Sequence, residues 1–567
     1  MVEDSSSEKK DLGELLVESA FIKPEDMEHV RQVASRSNRR LTEVLLDEEF
    51  ISPDALATIL SLQYNVPAVD LRHTQVQPAA VALVSEKMAR EHQVLPLTVD
   101  GDTLTVAMED PENLWVLDQL AAKTKKRVKP VIPLGMSISD AIGGHYRLTS
   151  QIEQQINQVV SEVESRGITE PVMATTDAVR SAPIVQAIDM LLSQAVKDRA
   201  SDIHIEPQQD YLRIRYRIDG VLHDMLRLPL GVHTALMTRI KVLSNLNIAE
   251  RRRPQDGQFS ATISDRQVDF RVACIEADHG EMAVLRVLDK SMLVIKLEEL
   301  GVSSAMLEPF QRLLHAAFGM IMVSGPTGSG KTTTLYSALS QLDAKQRNIM
   351  TVEDPIEYRF QDINQIQVNR QAGIEFATGL RACMRLDPDV ILVGEIRDSE
   401  TANTAVQAAL TGHLVLTSIH ANDAASALVR LIDMGTEPFL VTSAVIGSLS
   451  QRLVRKVCPY CSTTKKASSA EVLAYQQETG DSKTEFLYGR GCNFCSHTGF
   501  LGRVGAFELI TMSDSVRKLV MQGVSATELK AAAVDEGMIL MRRDGILKAR
   551  DGVTTIAEVI RSVFTIL

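Results

Sequence analysis

The sequence contains no long apolar run, few cysteines and no excess of positive charge. No segment reaches the roughly 18 consecutive apolar residues that a membrane-spanning helix requires. The chain begins Met1-Val2-Glu3-Asp4, which lacks the basic start of a secretory signal. These absences predict a protein that works in the cytosol and does not span a membrane.

The charge balance is negative. Lys and Arg together number 60, against 73 Asp and Glu, which gives a formal net charge of −13. This surplus disfavours broad, non-specific binding to nucleic acid or anionic lipid, because both partners are themselves negative. No basic segment is interleaved with aromatic residues, the pattern typical of a groove for single-stranded nucleic acid. We therefore expect no nucleic-acid partner, and the composition leaves room only for a local basic patch.

Six cysteines in 567 residues do not make a disulfide scaffold. Four of them form two Cys-x-x-Cys pairs, which in a reducing compartment indicate a metal site: Cys458, Cys461, Cys492 and Cys495. Each pair can place two thiolates on one ion, and two pairs complete a closed tetrahedral site for structural Zn2+. Thirty residues separate the pairs, so residues 473–488 are expected to form an excursion. Cys274 and Cys383 are expected in the core.

The most informative stretch is Gly325-Pro326-Thr327-Gly328-Ser329-Gly330-Lys331-Thr332, which follows the apolar run Met320-Ile321-Met322-Val323 and opens a helix-forming segment. The spacing Gly-x4-Gly-Lys-Thr lets a nearly side-chain-free backbone wrap around the phosphates of a nucleotide. We expect Lys331 to contact the β- and γ-phosphates and Thr332 to hold Mg2+. Nucleotide contacts are expected from this whole loop and from Thr333.

Acidic residues follow two later strand signals. Thr351 to Tyr358 carries Glu353, Asp354 and Glu357, and an apolar run after Asp389 ends in Glu395. In a phosphate-binding fold, acids at strand ends face the nucleotide crevice. Phosphoryl transfer needs Mg2+ and a positioned water, and Glu395 would supply a carboxylate for the metal shell. Glu353 and Asp354 are expected to shape the site or that shell.

Further polar candidates lie between and after these acids. Arg381 and Arg385 are four residues apart, so on a helix they would share a face. His413 and His420 flank another strand signal, and a histidine there can sense the γ-phosphate by hydrogen bonding.

A module upstream of the loop shows alternating, half-buried strand patterns. It contains the runs Ser201-Asp202-Ile203-His204-Ile205-Glu206, Arg217-Ile218-Asp219-Gly220 and Pro254-Gln255-Asp256-Gly257. Together with the boxes above, these runs resemble the secretion ATPase superfamily from about residue 181 to the end. The chain departs from the family pattern at Ala273-Cys274-Ile275-Glu276, where Ser-Thr-x-Pro is usual, and at Met282, where Lys is common.

The resemblance implies roles for several residues. Arg271 and Arg286 match family arginines that reach toward the nucleotide, a task suited to a planar, permanently charged side chain. Glu357 matches the acid that orients or deprotonates the attacking water, although Glu357 and Glu395 could exchange these roles. The remaining matches are to nucleotide-contacting arginines and to the histidine box: Arg381, Arg385, His413 and His420.

The first residues form an internal repeat, in which 11–34 and 40–63 correspond at an offset of 29. The repeat is similar to the N-terminal domain of type II secretion and type IV pilus assembly ATPases, which in some members binds cyclic di-GMP. Here Asp11 and Ala34 replace the arginine and glutamine of the first motif, and Thr42 and Glu49 replace glycines of the second, which keeps Arg40 and Gln63. Cyclic di-GMP binding and plain helical packing both stay open.

The predicted fold class is α/β: a RecA-like P-loop ATPase core preceded by an α/β (PAS-like) sandwich module and an N-terminal helical and α+β module. The expected divisions are an N-terminal regulatory module at 1–150, a helix and linker at 151–181, the second module at 182–295 and the ATPase domain at 296–567. The zinc-binding insertion is expected at about 456–497.

The resemblance implies a homo-hexameric ATPase that uses ATP, Mg2+ and structural Zn2+ and works peripherally at the cytoplasmic face of the inner membrane. It would pass motion to a membrane platform protein and power type IV pilus assembly. The alternative is a type II secretion ATPase. Two further alternatives are weaker. The negative net charge disfavours a hexameric nucleic-acid translocase, and the complete set of acidic residues disfavours a nucleotide-sensing adaptor without turnover.

Overall fold

The structure, a computed structural model, describes residues 12–145 and 182–564, apart from short gaps at 20, 38–40, 42–43, 46–49, 52, 65, 72–73, 75, 82, 135–136, 264–265, 290–295, 493 and 496–497. Contacts divide the chain into two units. The first is Met1–Leu148 with Cys458–Ser462 and Gly489–Gly499, and the second is the rest. The predicted helix and linker at 151–181 lies outside the described residues, and the predicted domain boundaries stay predictions.

The first unit begins with helices that bury a small apolar cluster. Leu16, Val30 and Leu45 are fully buried in it. Two of the helices begin at prolines 29 residues apart, as the repeat predicts, because a proline lacks the N–H that the first helical position leaves unpaired anyway. The helices are α1 (Leu12–Glu18), α2 (Pro24–Ser37) and α3 (Pro53–Tyr64).

A four-stranded sheet of order β1-β4-β3-β2 follows in the same unit, with β4 parallel to both β1 and β3 and with β2 antiparallel to β3. This mixture agrees with the predicted α+β continuation. Its elements are β1 (Ala68–Asp70), α4 (Pro78–Val81), α5 (Glu86–Glu91), β2 (Val94–Asp100), β3 (Thr103–Met108), α6 (Leu114–Thr124), β4 (Arg127–Leu134) and α7 (Ile138–His145).

The second unit contains a six-stranded antiparallel sheet of order β7-β6-β5-β10-β9-β8. Along β6 the residues Leu212, Ile214 and Tyr216 are buried while those between them are only partly covered, as an alternating strand with one buried face requires. The elements are α8 (Ala182–Lys197), β5 (Ala200–Pro207), β6 (Tyr211–Ile218), β7 (Val221–Pro229), α9 (His233–Leu243), β8 (Gln255–Ile263), β9 (Arg266–Ala277) and β10 (Gly280–Asp289).

A seven-stranded sheet of order β13-β12-β14-β15-β11-β16-β19 carries the phosphate-binding loop. All its neighbouring strands are parallel except β16 and β19. Strands β11 and β15 are buried along their whole length, as expected when helices cover both faces of a parallel sheet. The elements are α10 (Ser304–Leu314), β11 (Gly319–Ser324), α11 (Lys331–Leu339), β12 (Ile349–Glu353), β13 (Asn364–Gln367), α12 (Phe376–Cys383), β14 (Val390–Ile396), α13 (Ser399–Leu410) and β15 (Leu414–Ile419).

The C-terminal part completes this sheet and adds a small β-α-β excursion between the cysteine pairs, as the long spacing predicts. Tyr475 on its helix is fully buried. The elements are α14 (Ala424–Asp433), α15 (Pro438–Ala444), β16 (Val445–Val457), β17 (Ser462–Lys466), α16 (Ser469–Thr479), β18 (Glu485–Gly489), β19 (Phe500–Thr511), α17 (Asp514–Gln522), α18 (Ala526–Asp535), α19 (Met541–Arg550) and α20 (Ile556–Ser562).

The predicted fold class is confirmed by these layers. One local expectation is wrong: α12 ends at Cys383, so Arg385 lies in the turn that follows and does not share a helix face with Arg381. The turn reverses at Asp387, whose φ of 52° is incompatible with a continuing helix. Among the described helices, none combines the length and the apolar character needed to cross a membrane.

Candidate nucleotide-binding site and cysteine cluster

The loop between β11 and α11 has a backbone that only glycine adopts easily. Gly325, Gly328 and Gly330 have φ values of 149°, 78° and 88°. A Cβ on Gly325 would lie 2.5 Å from the backbone oxygen of Gln451. The buried side chain of Gln451 donates from Nε2 to the Ser329 carbonyl at 2.7 Å, so β16 supports the loop directly. No spacing pattern in the sequence marks Gln451 for this role.

The parallel register brings the predicted acids to the loop. Ser324 at the end of β11 pairs with Ile419 at the end of β15, and Val352 of β12 pairs with Val393 of β14. Strand ends that point the same way meet at one edge of a sheet, where doubly wound folds bind their ligands. The loop, Glu395 and His420 therefore lie at the same edge.

Glu395 is the centre of one charged group. Its carboxylate lies 2.5 Å from the Arg397 guanidinium and 3.7 Å from Nε2 of His420. Burial lowers the pKa of Lys331, and the nearby Glu395 opposes that shift. Burial and the neighbouring Lys331 charge lower the pKa of His420. Lys331 Nζ itself donates to the carbonyl oxygens of Gly325 at 2.8 Å and of Pro326 at 3.2 Å.

Glu357 is the centre of a second group, and its partner comes from the six-stranded sheet. Arg271 Nη1 donates to Glu357 Oε1 at 3.0 Å, and Nη2 lies 3.0 Å from Oε2. The Nη1 contact is a charge-assisted hydrogen bond, whereas Oε2 meets Nη2 as an ion pair and is buried without a hydrogen-bond partner among the described residues. The second predicted arginine, Arg286, lies directly opposite Arg271 on β10 and pairs with Asp202 of β5 at 3.3 Å.

A cavity of about 620 Å3 opens beside this row of charged residues. Strands of the six-stranded sheet and Pro355 line it, including Asp202, Asp256, Arg271 and Arg286. A concave site with a few charged groups is the usual form of a small-ligand pocket. The cavity therefore lies along the six-stranded sheet beside Arg271 and reaches the segment after β12 at Pro355.

Three further residues predicted to contact the nucleotide have the following surroundings. Glu353 is buried and accepts hydrogen bonds from Thr351 and Gln365. Asp354 beside it is exposed. Arg381 pairs with Glu400 at 2.8 Å.

The expectation that His413 joins the loop needs correction. His413 precedes β15, while the loop lies beyond the far end of the neighbouring strand, and six parallel residues span roughly 20 Å. Its Nδ1 lies 2.8 Å from the Ala408 carbonyl oxygen. His413 thus fastens the end of α13 to the strand, and of the two histidines only His420 lies at the loop edge.

The four cysteines predicted to bind a metal lie together in the structure. The four sulfur atoms lie within 4.8 Å of one another and are contributed by Cys458, Cys461, Cys492 and Cys495. Backbone N–H groups of Gly491 and Gly499 point at two of the sulfurs at 3.3 and 3.2 Å, which favours thiolates. The contact between Cys458 and Cys495 lowers the pKa of the Cys495 thiol and raises that of Cys458, so the two thiols share one proton unequally. Four thiol ligands at this spacing fit a closed tetrahedral Zn2+ site.

Cys274 and Cys383 lie apart from this cluster. Both are buried, as predicted, and burial raises the pKa of each thiol to about 11.

The half-sites for cyclic di-GMP are only partly described. Asp11, Arg40, Thr42 and Glu49 lie outside the described residues. Ala34 is buried in the helical cluster, which agrees with plain packing at that position. Binding of cyclic di-GMP stays a prediction.

The loop, the acids and the histidine at one edge of a parallel sheet define a P-loop ATPase of the RecA-like class. The chain belongs to the type II/IV secretion system protein family, whose model matches residues 177–561. Residues 64–152 match the MshEN domain.

Two relatives match almost their whole length. The chain is 39% identical to the type IV pilus assembly ATPase PilB of Myxococcus xanthus over 97% of this chain and 98% of that one. It is 36% identical to the type II secretion system protein E of Xanthomonas campestris over 99% of each. The ATPase DotB of Legionella pneumophila shares the fold, with a TM-score of 0.50, 21% identity and coverage of 66% of this chain and 94% of that chain.

Glu357→Gln should separate nucleotide binding from hydrolysis. The amide keeps the shape of the side chain but cannot take a proton, so turnover should fall about 10²- to 10⁴-fold. Binding of a fluorescent ATP analogue should change by no more than about threefold, because the loop is intact. Phosphate release and fluorescence titration measure the two effects.

The matched control is Glu206→Gln, which alters a comparable two-pronged pair with Arg215 at 2.8 and 2.9 Å. This variant should keep wild-type turnover. Wild-type turnover in Glu357→Gln would show that Glu357 is not part of the catalytic site.

Proposed function

We propose that this chain is a hexameric ATPase that powers type IV pilus assembly at the cytoplasmic face of the inner membrane. The observation that carries the proposal is the Arg271–Glu357 pair, because it joins a candidate catalytic acid of the motor sheet to the second module. A motor needs such a link between its chemistry and a part that moves. The near full-length similarity to a pilus assembly ATPase supports the choice of process.

In this proposal the site divides its work between two acids. Loop N–H groups and Lys331 hold the ATP phosphates, while Thr332 and Glu395 hold Mg2+, which neutralises charge on the phosphates when bound. Glu357 orients and deprotonates the attacking water. The contacts support these different roles for the two acids. Glu395 lies near Lys331 and the loop, whereas Glu357 contacts Arg271, which could bind a phosphate instead.

Arg271 then has two alternative partners. Its guanidinium pairs with Glu357, and the γ-phosphate of ATP would offer it oxygen acceptors in place of that carboxylate. Moving from carboxylate to phosphate would release Glu357 for catalysis and shift the second module with its strand. Hydrolysis would reverse the exchange, and a membrane platform protein would receive the motion.

Two alternatives differ in what the motor drives. The first alternative is type II secretion, because the match to a type II secretion protein E is equally long. Nucleic-acid translocation is disfavoured by the net charge of −13.

Replacing the chromosomal gene with Lys331→Ala in the source organism separates the first two functions. Pili should disappear from electron micrographs while the proteins released into the medium stay unchanged, because the loop loses its phosphate-binding cation. The matched allele is Lys466→Ala, an exposed lysine of β17, which should keep pili. Normal pili with lost protein release would contradict pilus assembly and favour type II secretion.

We also propose that the four clustered cysteines bind structural Zn2+. Metal analysis of the purified protein should find about one zinc ion per chain, and Cys458→Ser with Cys495→Ser should remove it and lower the melting temperature. Cys274→Ser is the control, since that buried thiol is not part of the cluster and the variant should keep its zinc. Full zinc content in the double variant would contradict the site.

A further inference from the structure

Glu357 lies on a segment without regular secondary structure. Residues 354–363 connect β12 to β13 without helix or strand, so no backbone ladder fixes this stretch. A general base that stands even 1 Å from its proper place can cost about a hundredfold in rate. The arginine that contacts the carboxylate belongs to another module, so the motor domain must hold the backbone of Glu357 by other means.

The support begins at the buried carboxylate of Glu353. Its two oxygens accept hydrogen bonds from Thr351 Oγ1 at 2.5 Å, from Gln365 Nε2 at 3.1 Å and from the Tyr336 hydroxyl. Glu353 is 3% exposed. A buried carboxylate with three donors is a fixed point of the structure, because breaking any one bond leaves a buried acceptor with an unmade hydrogen bond.

Tyr336 connects that fixed point to Glu357. Its hydroxyl donates to Glu353 and at the same time accepts the backbone N–H of Glu357 at 3.3 Å. Only a hydroxyl can make both bonds from one atom. Burial, reinforced by the bond to Glu353, raises the pKa of Tyr336, so the hydroxyl keeps its proton and remains a donor.

Gln365 and an aromatic contact hold the residues that follow. Gln365 donates to the Tyr358 carbonyl at 2.8 Å and accepts the Phe360 N–H at 2.9 Å. The rings of Tyr336 and Phe360 meet edge to face with centroids 5.2 Å apart. The segment is therefore attached at successive points to Tyr336 and to Gln365, both of which contact Glu353.

Tyr336 also belongs to α11, the helix that starts at Lys331 of the phosphate-binding loop. We propose that Tyr336 is a positioning residue that sets Glu357 relative to the phosphates, through its paired bonds to Glu353 and to the Glu357 backbone. This inference rests on the proposed role of Glu357. It also gives Glu353 a task different from the predicted one in the nucleotide or metal shell.

A purely structural role for Tyr336 predicts a different outcome. Tyr336 is fully buried in a helix that packs on the sheet, and removing a buried hydroxyl would then reduce stability alone. Tyr475 offers a matched comparison: it is fully buried too, and its hydroxyl donates to the Asp481 carboxylate at 2.9 Å, away from the loop.

The experiment compares Tyr336→Phe with Tyr475→Phe in the full chain, by steady-state ATP hydrolysis and by titration with a fluorescent ATP analogue. Tyr336→Phe should lower kcat roughly tenfold while KM and analogue affinity change by less than about twofold. Tyr475→Phe should leave kcat at the wild-type value. An unchanged kcat in Tyr336→Phe, or an equal loss in both variants, would overturn the inference.

A double-mutant cycle shows whether Tyr336 acts through Glu357. Single-turnover hydrolysis of radiolabelled ATP measures slow variants, and Tyr336→Phe should add almost nothing to Glu357→Gln, because the group being positioned is already disabled. An equal fold-loss in both backgrounds would assign Tyr336 a role independent of Glu357. If Glu357→Gln alone hydrolyses at the wild-type rate, the proposed function of Glu357 fails instead.

A second variant keeps the inference testable if Tyr336→Phe does not fold. Gln365→Ala removes the hydrogen bonds between Gln365 and the backbone of Tyr358 and Phe360. It keeps the hydrogen bonds that Thr351 and Tyr336 donate to Glu353. It should lower kcat without weakening analogue binding. A variant with normal kcat would show that the segment does not need this support.

Discussion

The carboxyl ends of four parallel strands meet at one edge of the seven-stranded sheet, and the positions of the phosphate-binding loop, Glu357, Glu395 and His420 depend on that register. Pairing of β11 with β15 sets His420 beside the loop, and pairing of β12 with β14 brings Glu395 near the end of β14 to the same side as Glu357 on the segment after β12. The loop itself depends on glycines at positive φ and on Gln451 beneath it. A shift of one residue between these strands would separate the acids from the phosphates.

Two arginines of the second module show how chemistry and motion could share one contact. Arg271 and Arg286 are register partners, so they move together when their strands move. Each is neutralised by a carboxylate, but only Arg271 has a partner in the motor sheet, namely Glu357. In the proposed cycle, moving Arg271 from Glu357 to a phosphate would therefore free the acid and shift the strand in one event.

The sequence predicted the fold class and the chemistry that has a spacing signature. The glycine-rich loop, the acids after strands and the paired cysteines have patterns that follow from local geometry. Gln451, Tyr336 and Asp202 had no such pattern, because their roles depend on strand pairing and helix packing between residues far apart in the chain.

The errors have the same origin. Two histidines separated by a six-residue strand lie at opposite edges of a sheet, so a length argument could have excluded His413. Neighbouring carboxylates at a strand end look alike in sequence, yet Glu353 is buried under three donors while Glu357 faces an arginine. Arg385 was misplaced because the nearest signal that ends a helix, Pro388, lies three residues beyond it, whereas α12 already ends at Cys383.

The most direct test is a cryo-electron microscopy structure of the protein with Mg2+ and a non-hydrolysable ATP analogue. If Arg271 exchanges partners as proposed, its guanidinium should leave Glu357 and lie within hydrogen-bond distance of a phosphate oxygen. An Arg271–Glu357 pair that persists with the analogue bound in the loop would contradict the proposed exchange of Arg271 from Glu357 to the phosphate.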